Sequence, residues 1–288
     1  MAEITSLRRA VSELVNDGAV VALEGFTHLI PFAAGHEIIR QQKRNLTLVR
    51  MTPDLIYDQM IGMGCADRLV FSWAGNPGVG SLHRFRDAVE NGWPGPLEIE
   101  EHSHADMAAR YQAGASGLPF SVMRGYVGSD LPKYNPKVKS VTCPFSGEVL
   151  AATPALRPDL AIIHAQKADR KGNVLLFGII GIQKEAVLAS KKAIVTVEEI
   201  VEDLEAPMNA CVLPHWVLTY VCEAPGGAHP SYAHGYYRRD NAFCMAWDGI
   251  SRDREKFLQW MNRHVLSSAD FAEYRRSIAS VLGSQENA

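Results

Sequence analysis

Apolar residues along this chain follow two rhythms, and the rhythms alternate. Leu7, Ala10, Val11, Leu14 and Val15 recur at helical spacing behind Thr5 or Ser6, and Gly18 ends the pattern. Residues 19–23 are then uninterrupted Ala, Val and Leu, as a strand covered on both faces of a parallel sheet requires. Pro31 suits the first turn of a helix running to about residue 42. The order repeats through a strand at 46–51, a helix at 53–61, a strand at 69–73, a helix at 81–90 and a strand at 97–101. The following helix, to about 116, carries Ala105, Ala108, Ala109, Ala113 and Ala115, so it can lie close to a neighbour, and Gly117 and Pro119 stop it. Residues 119–144 lose the rhythm and read as a long irregular excursion. Strands at 160–164 and 193–198, a turn at 169–173, a helix at 183–191 and amphipathic helices at 253–265 and 269–281 complete the chain. The pattern predicts an α/β fold, an open and mainly parallel sheet covered by helices on both faces, in one domain over residues 1–288.

Ligands in such sheets bind beyond the carboxyl ends of the strands, and three predicted strand exits carry unusual residues. They are residues 24–28, 75–80 and 100–104, and they are expected to converge on one crevice. The second holds Gly75, Gly78 and Gly80 before a helix start, where free N–H groups and a partial positive charge suit an anion. A tight strand-to-helix connection with no ligand fits the same residues. The spacing is neither G-x-G-x-x-G nor G-K-[ST], so no dinucleotide or triphosphate is indicated.

Composition narrows the partners. A net charge of −3 without a long basic run argues against nucleic acid and anionic membranes. No run approaches the roughly 18 to 20 apolar residues of a membrane span, and residues 1–7 lack a signal-peptide core. The five cysteines, 65, 143, 211, 222 and 244, are widely spaced with no C-x-x-C pair, which points to a reducing cytoplasm rather than a disulfide framework or zinc knuckle.

The densest titratable group is Glu100-Glu101-His102-Ser103-His104. Strand alternation sends Glu100 and Glu101 to opposite sides, so one at most faces the crevice. Glu101 then serves as a base or acceptor, or stabilises the helix that Ser103 opens with a capping-box pattern. His102 and His104 have strand-pair spacing for a metal, but no third ligand is evident. Thr27 and His28 can bind an oxyanion or satisfy loop backbone, and Arg124 and Lys167 can supply positive charge. Residues 228–237, rich in His and Tyr, can cover a ligand or form a subunit contact. Ser72 and Ser103 lack G-x-S-x-G context. A crevice without a nucleophile–base pair suggests a site completed by another subunit.

Four stretches resemble a known family: 21–31 (Val-Ala-Leu-Glu-Gly-Phe-Thr-His-Leu-Ile-Pro), 75–81 (Gly-Asn-Pro-Gly-Val-Gly-Ser), 161–166 (Ala-Ile-Ile-His-Ala-Gln) and 224–231 (Ala-Pro-Gly-Gly-Ala-His-Pro-Ser). The chain is similar to the α subunit of family I CoA-transferases, glutaconate type, and its wording resembles the branch that acts on 3-oxoadipate in aromatic-compound breakdown. The resemblance implies that a β subunit completes the enzyme and that the CoA thioester is attacked by a glutamate of that partner. No catalytic residue would then lie in this chain, with Glu101 as supporting acid. The substrates implied are succinyl-CoA and a 3-oxo dicarboxylic acid, with no permanently bound cofactor and no metal. Substrate-lining positions carried over are Gly25, Phe26, Thr27, His28, Gly75, Asn76, Gly78, Glu101 and Ser103. Glu90-Asn91-Gly92 imitates the β-subunit nucleophile motif but reads as a helix stop. Two departures are Glu24, where the family often has glycine, and Pro77, where the glutaconate enzyme has serine. The alternatives are transfer to another dicarboxylic acid such as glutaconate, and hydrolysis by a steroid-ring-cleaving relative with Glu101 as base.

Overall fold

The computed structural model describes residues 2–282, so residue 1 and residues 283–288 of the predicted 1–288 domain lie outside the described residues. The first half follows its apolar rhythm: β1 (Glu3–Ile4), α1 (Leu7–Leu14), β2 (Val20–Glu24), α2 (Phe32–Arg40), β3 (Leu46–Val49), α3 (Leu55–Gly62), β4 (Ala66–Phe71), α4 (His83–Asn91), β5 (Glu98–Glu101) and α5 (His104–Ala115). Gly92 ends α4 at φ +66, so the Glu-Asn-Gly tripeptide is a helix stop.

The excursion is ordered. β6 (Phe120–Met123), a one-turn α6 (Leu131–Tyr134), β7 (Lys139–Thr142) and β8 (Val149–Pro154) build a small antiparallel sheet in the order β6-β8-β7. Its short strands expose Phe120, Val122 and Val149, so they carry no clean alternation for a sequence pattern to reveal.

The second half runs β9 (Leu160–Asp169), β10 (Val174–Leu176), α7 (Gln183–Ala189), β11 (Lys192–Val201), β12 (Cys211–Leu213), β13 (Tyr220–Glu223), α8 (Asn241–Ser251), α9 (Arg254–Trp260), a π-helical turn (Met261–Leu266) and α10 (Phe271–Leu282). The main sheet has ten strands. Eight lie in the order β1-β13-β11-β9-β2-β3-β4-β5 with every neighbouring pair parallel, and β10 and β12 extend it from β9 in antiparallel fashion.

Alternation divides the core between two faces. Val21 and Leu23 of β2, Leu160 and Ile162 of β9 and Leu69 of β4 meet α1 to α3 and the C-terminal helices on one side. Ala22, Val49 and Val70 meet Met107 and Tyr111 of α5 and Ala186 and Ala189 of α7 on the other. A Cβ at Gly114 would stand 2.1 Å from the Leu156 carbonyl oxygen and 3.0 Å from Ala189, so α5 does lie close to its neighbour. From β2 the chain builds outward to β5, then returns on the opposite side of β2 at β9. The boundary of β2 and β9 is therefore the topological switch point, where a crevice opens beyond the strand ends.

Candidate functional site

At that boundary β2 ends in Glu24 and the chain doubles back at Gly25. A Cβ there would lie 2.7 Å from the Leu29 carbonyl oxygen and 2.9 Å from the Ile30 Cα, so the turn closes only on glycine. Buried Arg50 fixes it, donating to both Asp54 carboxylate oxygens at 3.2 and 3.1 Å and to the Gly25 carbonyl at 2.8 Å. Glu24 accepts from the Tyr111 hydroxyl at 2.8 Å and the Met51 N–H at 3.2 Å. Burial pushes its carboxyl up to about 7, against the pull of Arg50.

Thr27 and Leu29 hold left-handed backbone, φ +56 and +54, on either side of His28. The His28 ring is fully buried; its Nδ1 lies 3.0 Å from the Ile179 carbonyl and its Nε2 accepts the His234 N–H at 2.9 Å. Burial lowers its pKa and favours the neutral ring, which offers one donor and one acceptor for these two bonds. Both ring nitrogens are committed to backbone, so the side chain staples the β2 exit to two later loops. Thr27 is exposed, with its carbonyl accepting from the Ser231 hydroxyl at 2.9 Å. Phe26, 36% exposed, lies against Gly181, where a Cβ would stand 2.6 Å from its own.

The second turn is closed by Asn76 and Gly80, which exchange backbone hydrogen bonds at 2.8 and 3.0 Å. The buried Asn76 amide donates to the Cys244 carbonyl at 2.7 Å, so its side chain ties the turn to α8. Gly75 leaves room for the Trp73 ring, 2.6 Å from where its Cβ would be, while Gly78 sits at φ +77 in open space. The helix start beyond is already capped. Asp58 on α3 accepts the N–H groups of Arg84 and Phe85 at 2.8 and 2.9 Å and the Trp247 indole N–H at 3.0 Å, and burial pushes its carboxyl up to about 6. The N–H groups at this helix start are already satisfied by a carboxylate of this chain.

The first and second turns do meet. They face one another across a recess bordered by Thr27, Asp54, Pro77, Ser231, Arg239 and Cys244. The Arg239 guanidinium donates to the Pro77 carbonyl at 2.5 Å. The third strand exit does not join them, since β5 is the edge strand, three strand spacings or about 14 Å from β2. There Glu101 is exposed and borders a separate hollow with Arg68, Tyr134, Asn135 and Lys137. Ser103 caps α5, accepting the Asp106 N–H at 3.1 Å, while its own N–H goes to the Tyr126 hydroxyl at 2.7 Å.

A family model described as Coenzyme A transferase matches residues 4–224. The chain belongs to the Coenzyme A transferase family. It is similar to one of the subunits of the 3-oxoadipate CoA-transferase of Pseudomonas knackmussii, 68% identical over 279 residues that cover 97% of this chain and 99% of that one. The crystal structure of glutaconate coenzyme A-transferase from Acidaminococcus fermentans matches with a TM-score of 0.88 at 32% identity, covering 98% of this chain and 94% of that one. A more distant relative is the cholesterol ring-cleaving hydrolase IpdA subunit of Rhodococcus jostii, 27% identical over 92% of each chain.

In this CoA-transferase chain the inward partner of Glu101 is Glu100. Burial raises its pKa, but hydrogen bonds from His102 and Lys137 and the charge of Arg110 outweigh that and hold it well below the carboxylate range. His102 lies between Glu100 at 2.9 Å and Asp106 at 2.7 Å, and Asp106 accepts from the Thr153 and Tyr126 hydroxyls at 2.5 and 3.0 Å. This network ties the small sheet to α5. Its signal in the sequence was the acid-and-imidazole spacing around 100–106.

The Pro-Gly-Gly-Ala-His-Pro loop is pinned in a similar way. Glu198 on β11 is bonded to His164 of β9 at 2.7 Å, the Tyr237 hydroxyl at 2.5 Å and the Gly226 N–H at 2.6 Å, and a Cβ on Gly227 would stand 2.9 Å from the His164 ring. His229 pairs with Asp240 at 3.0 Å. The late cluster is thus internal scaffolding for one wall of the recess. Arg124 pairs with Glu148 on the small sheet and Lys167 with Glu199, each at 2.8 Å. Neither reaches the recess. Arg239 does, and sequence reasoning missed it because the helix it precedes, α8, was also missed; Asp240 followed by Phe243, Cys244 and Trp247 was the available signal.

Proposed function

We propose that this chain is the α-type subunit of an enzyme that transfers CoA from succinyl-CoA to 3-oxoadipate, releasing succinate and 3-oxoadipyl-CoA. The end-to-end likeness to the Pseudomonas knackmussii chain carries this reading. The recess supports a site shared between chains. Among the described residues that line it, Asp54 is the one carboxylate and is locked against Arg50. The Cys244 thiol is pushed up by burial and stays neutral. Neither is free to attack a thioester, so the attacking group enters from a β subunit. In this reading the backbone of Gly25, Phe26 and Thr27 and of Gly75, Asn76 and Gly78 approaches the acyl group, where N–H donors hold the thioester oxygen as it gains charge. His28 holds the first of these turns to two later loops, while Ser103 caps α5 and Glu101 borders the separate hollow at the sheet edge. The compartment is the cytoplasm, consistent with five free cysteines.

The test is co-expression with the β-type subunit, following the magnesium–enolate absorbance of 3-oxoadipyl-CoA. Signal that needs both chains and both substrates is expected. Transfer confined to another acid overturns the substrate. Hydrolysis is a second reading, favoured by Glu101, whose carboxylate is exposed and makes no hydrogen bond or ion pair among the described residues. Hydroxylamine trapping separates the two, because transfer leaves a reactive acyl group on the partner's carboxylate and direct hydrolysis leaves none.

A further inference from the structure

Arg239 is the one cation lining the recess between the two turns, among the described residues. It is partly buried, yet no carboxylate among those residues lies within ion-pair distance of it. The recess carboxylate, Asp54, pairs directly with Arg50 and acts on Arg239 only at longer range. The Pro77 carbonyl takes one of the five guanidinium N–H donors and the neutral Cys244 thiol lies within reach of another, which fixes the plane of the fork without cancelling its charge. Around this cation stand Ile30, Phe32 and Leu55. A guanidinium with no carboxylate at ion-pair distance, set among apolar side chains, matches a short methylene chain that ends in a carboxylate.

We infer that Arg239 reads the distal carboxylate of the acyl acid, making it the residue that selects dicarboxylic over monocarboxylic acceptors. This rests on the proposed transfer to 3-oxoadipate. The reacting carboxyl meets the glycine turns, and the other end of the acid pairs with the guanidinium fork. The candidates available from sequence do not compete for this role, since His28 is committed to backbone and Arg124 to Glu148.

The test compares wild type, Arg239→Met, Arg239→Lys and a control, Arg238→Met, each assembled with the β subunit. KM and kcat are measured for 3-oxoadipate and for 3-oxohexanoate, the same skeleton lacking the distal carboxylate. Arg239→Met is expected to raise KM for 3-oxoadipate by roughly 10- to 100-fold and to abolish the preference over 3-oxohexanoate. Arg239→Lys falls between, because it keeps the charge and loses the fork. Arg238→Met matches wild type. A dicarboxylate preference that survives Arg239→Met overturns the assignment, as does a loss confined to kcat for both acids, which marks Arg239 as a support for the Pro77 turn. A wild-type enzyme that does not use 3-oxoadipate overturns the function itself; if it also shows no dicarboxylate preference, the Arg239 assignment falls with it.

Discussion

Glu24 shows how much a single side chain at the switch point has to reconcile. It ends β2 beneath the glycine turn, where burial leaves it a carboxyl raised to about 7. Its unfolded value is near 4.5, so between those values the native state holds a proton that the unfolded chain has released. The native state binds more protons, and stability from this group therefore falls as pH rises from about 4.5 to about 7. The span corresponds to roughly 3 kcal/mol. Glu24→Gln keeps an acceptor oxygen for Tyr111 and Met51 and cannot ionise. The unfolding free energy of the variant relative to wild type is expected to rise by roughly that amount between about pH 4.5 and about pH 8, read from chemical denaturation at each pH. A difference that does not change with pH would show that Glu24 titrates normally. Glu24 was legible in the sequence only as a departure from a glycine, because nothing in a linear pattern reports that Tyr111, 87 residues away, would meet it.

The α3–α4 pair is the element on which the second turn rests. Asp58 holds two N–H groups at the start of α4 and the indole of Trp247 on α8, so one carboxylate joins three helices. Asp58→Ala leaves three buried donors unpaired and is expected to destabilise the chain by about 3 kcal/mol, with Asp58→Asn milder because one acceptor remains. Urea unfolding measures it; a loss under about 1 kcal/mol would mean that water replaces the carboxylate. The helices themselves were readable. Continuous apolar runs marked β2, β9 and β11, helical spacing marked α1, and Pro31 and Pro53 marked the starts of α2 and α3. What carried no trace was pairing at a distance. The small sheet, the β10–β12 extension and the capping of α4 each depend on partners far along the chain, and the same Gly75 to Gly80 turn serves an external anion or an internal one.

At the scale of the whole molecule, the C-terminal helices complete the core that the sheet begins. Phe243 and Trp247 of α8 and Phe257 of α9 are fully buried against it, with Trp247 5.2 Å from Trp260 and 5.9 Å from Phe257 between ring centres. The family model ends at residue 224, before any of them. Truncation after residue 240 removes this cover and exposes the apolar sides of α2 and α3, so the shortened chain is expected to accumulate in the insoluble fraction. A soluble truncation with a cooperative melt would show that the sheet and its remaining helices suffice. His28 sets a different limit at the same scale. Because it binds the exit of β2 to loops roughly 150 and 200 residues further on, laboratory evolution of new acyl preferences has little freedom at residues 24–29, where most libraries would first be aimed. Pro77 and Arg239 border the same recess without joining one strand to another, so in the proposed site diversity introduced there meets fewer structural constraints.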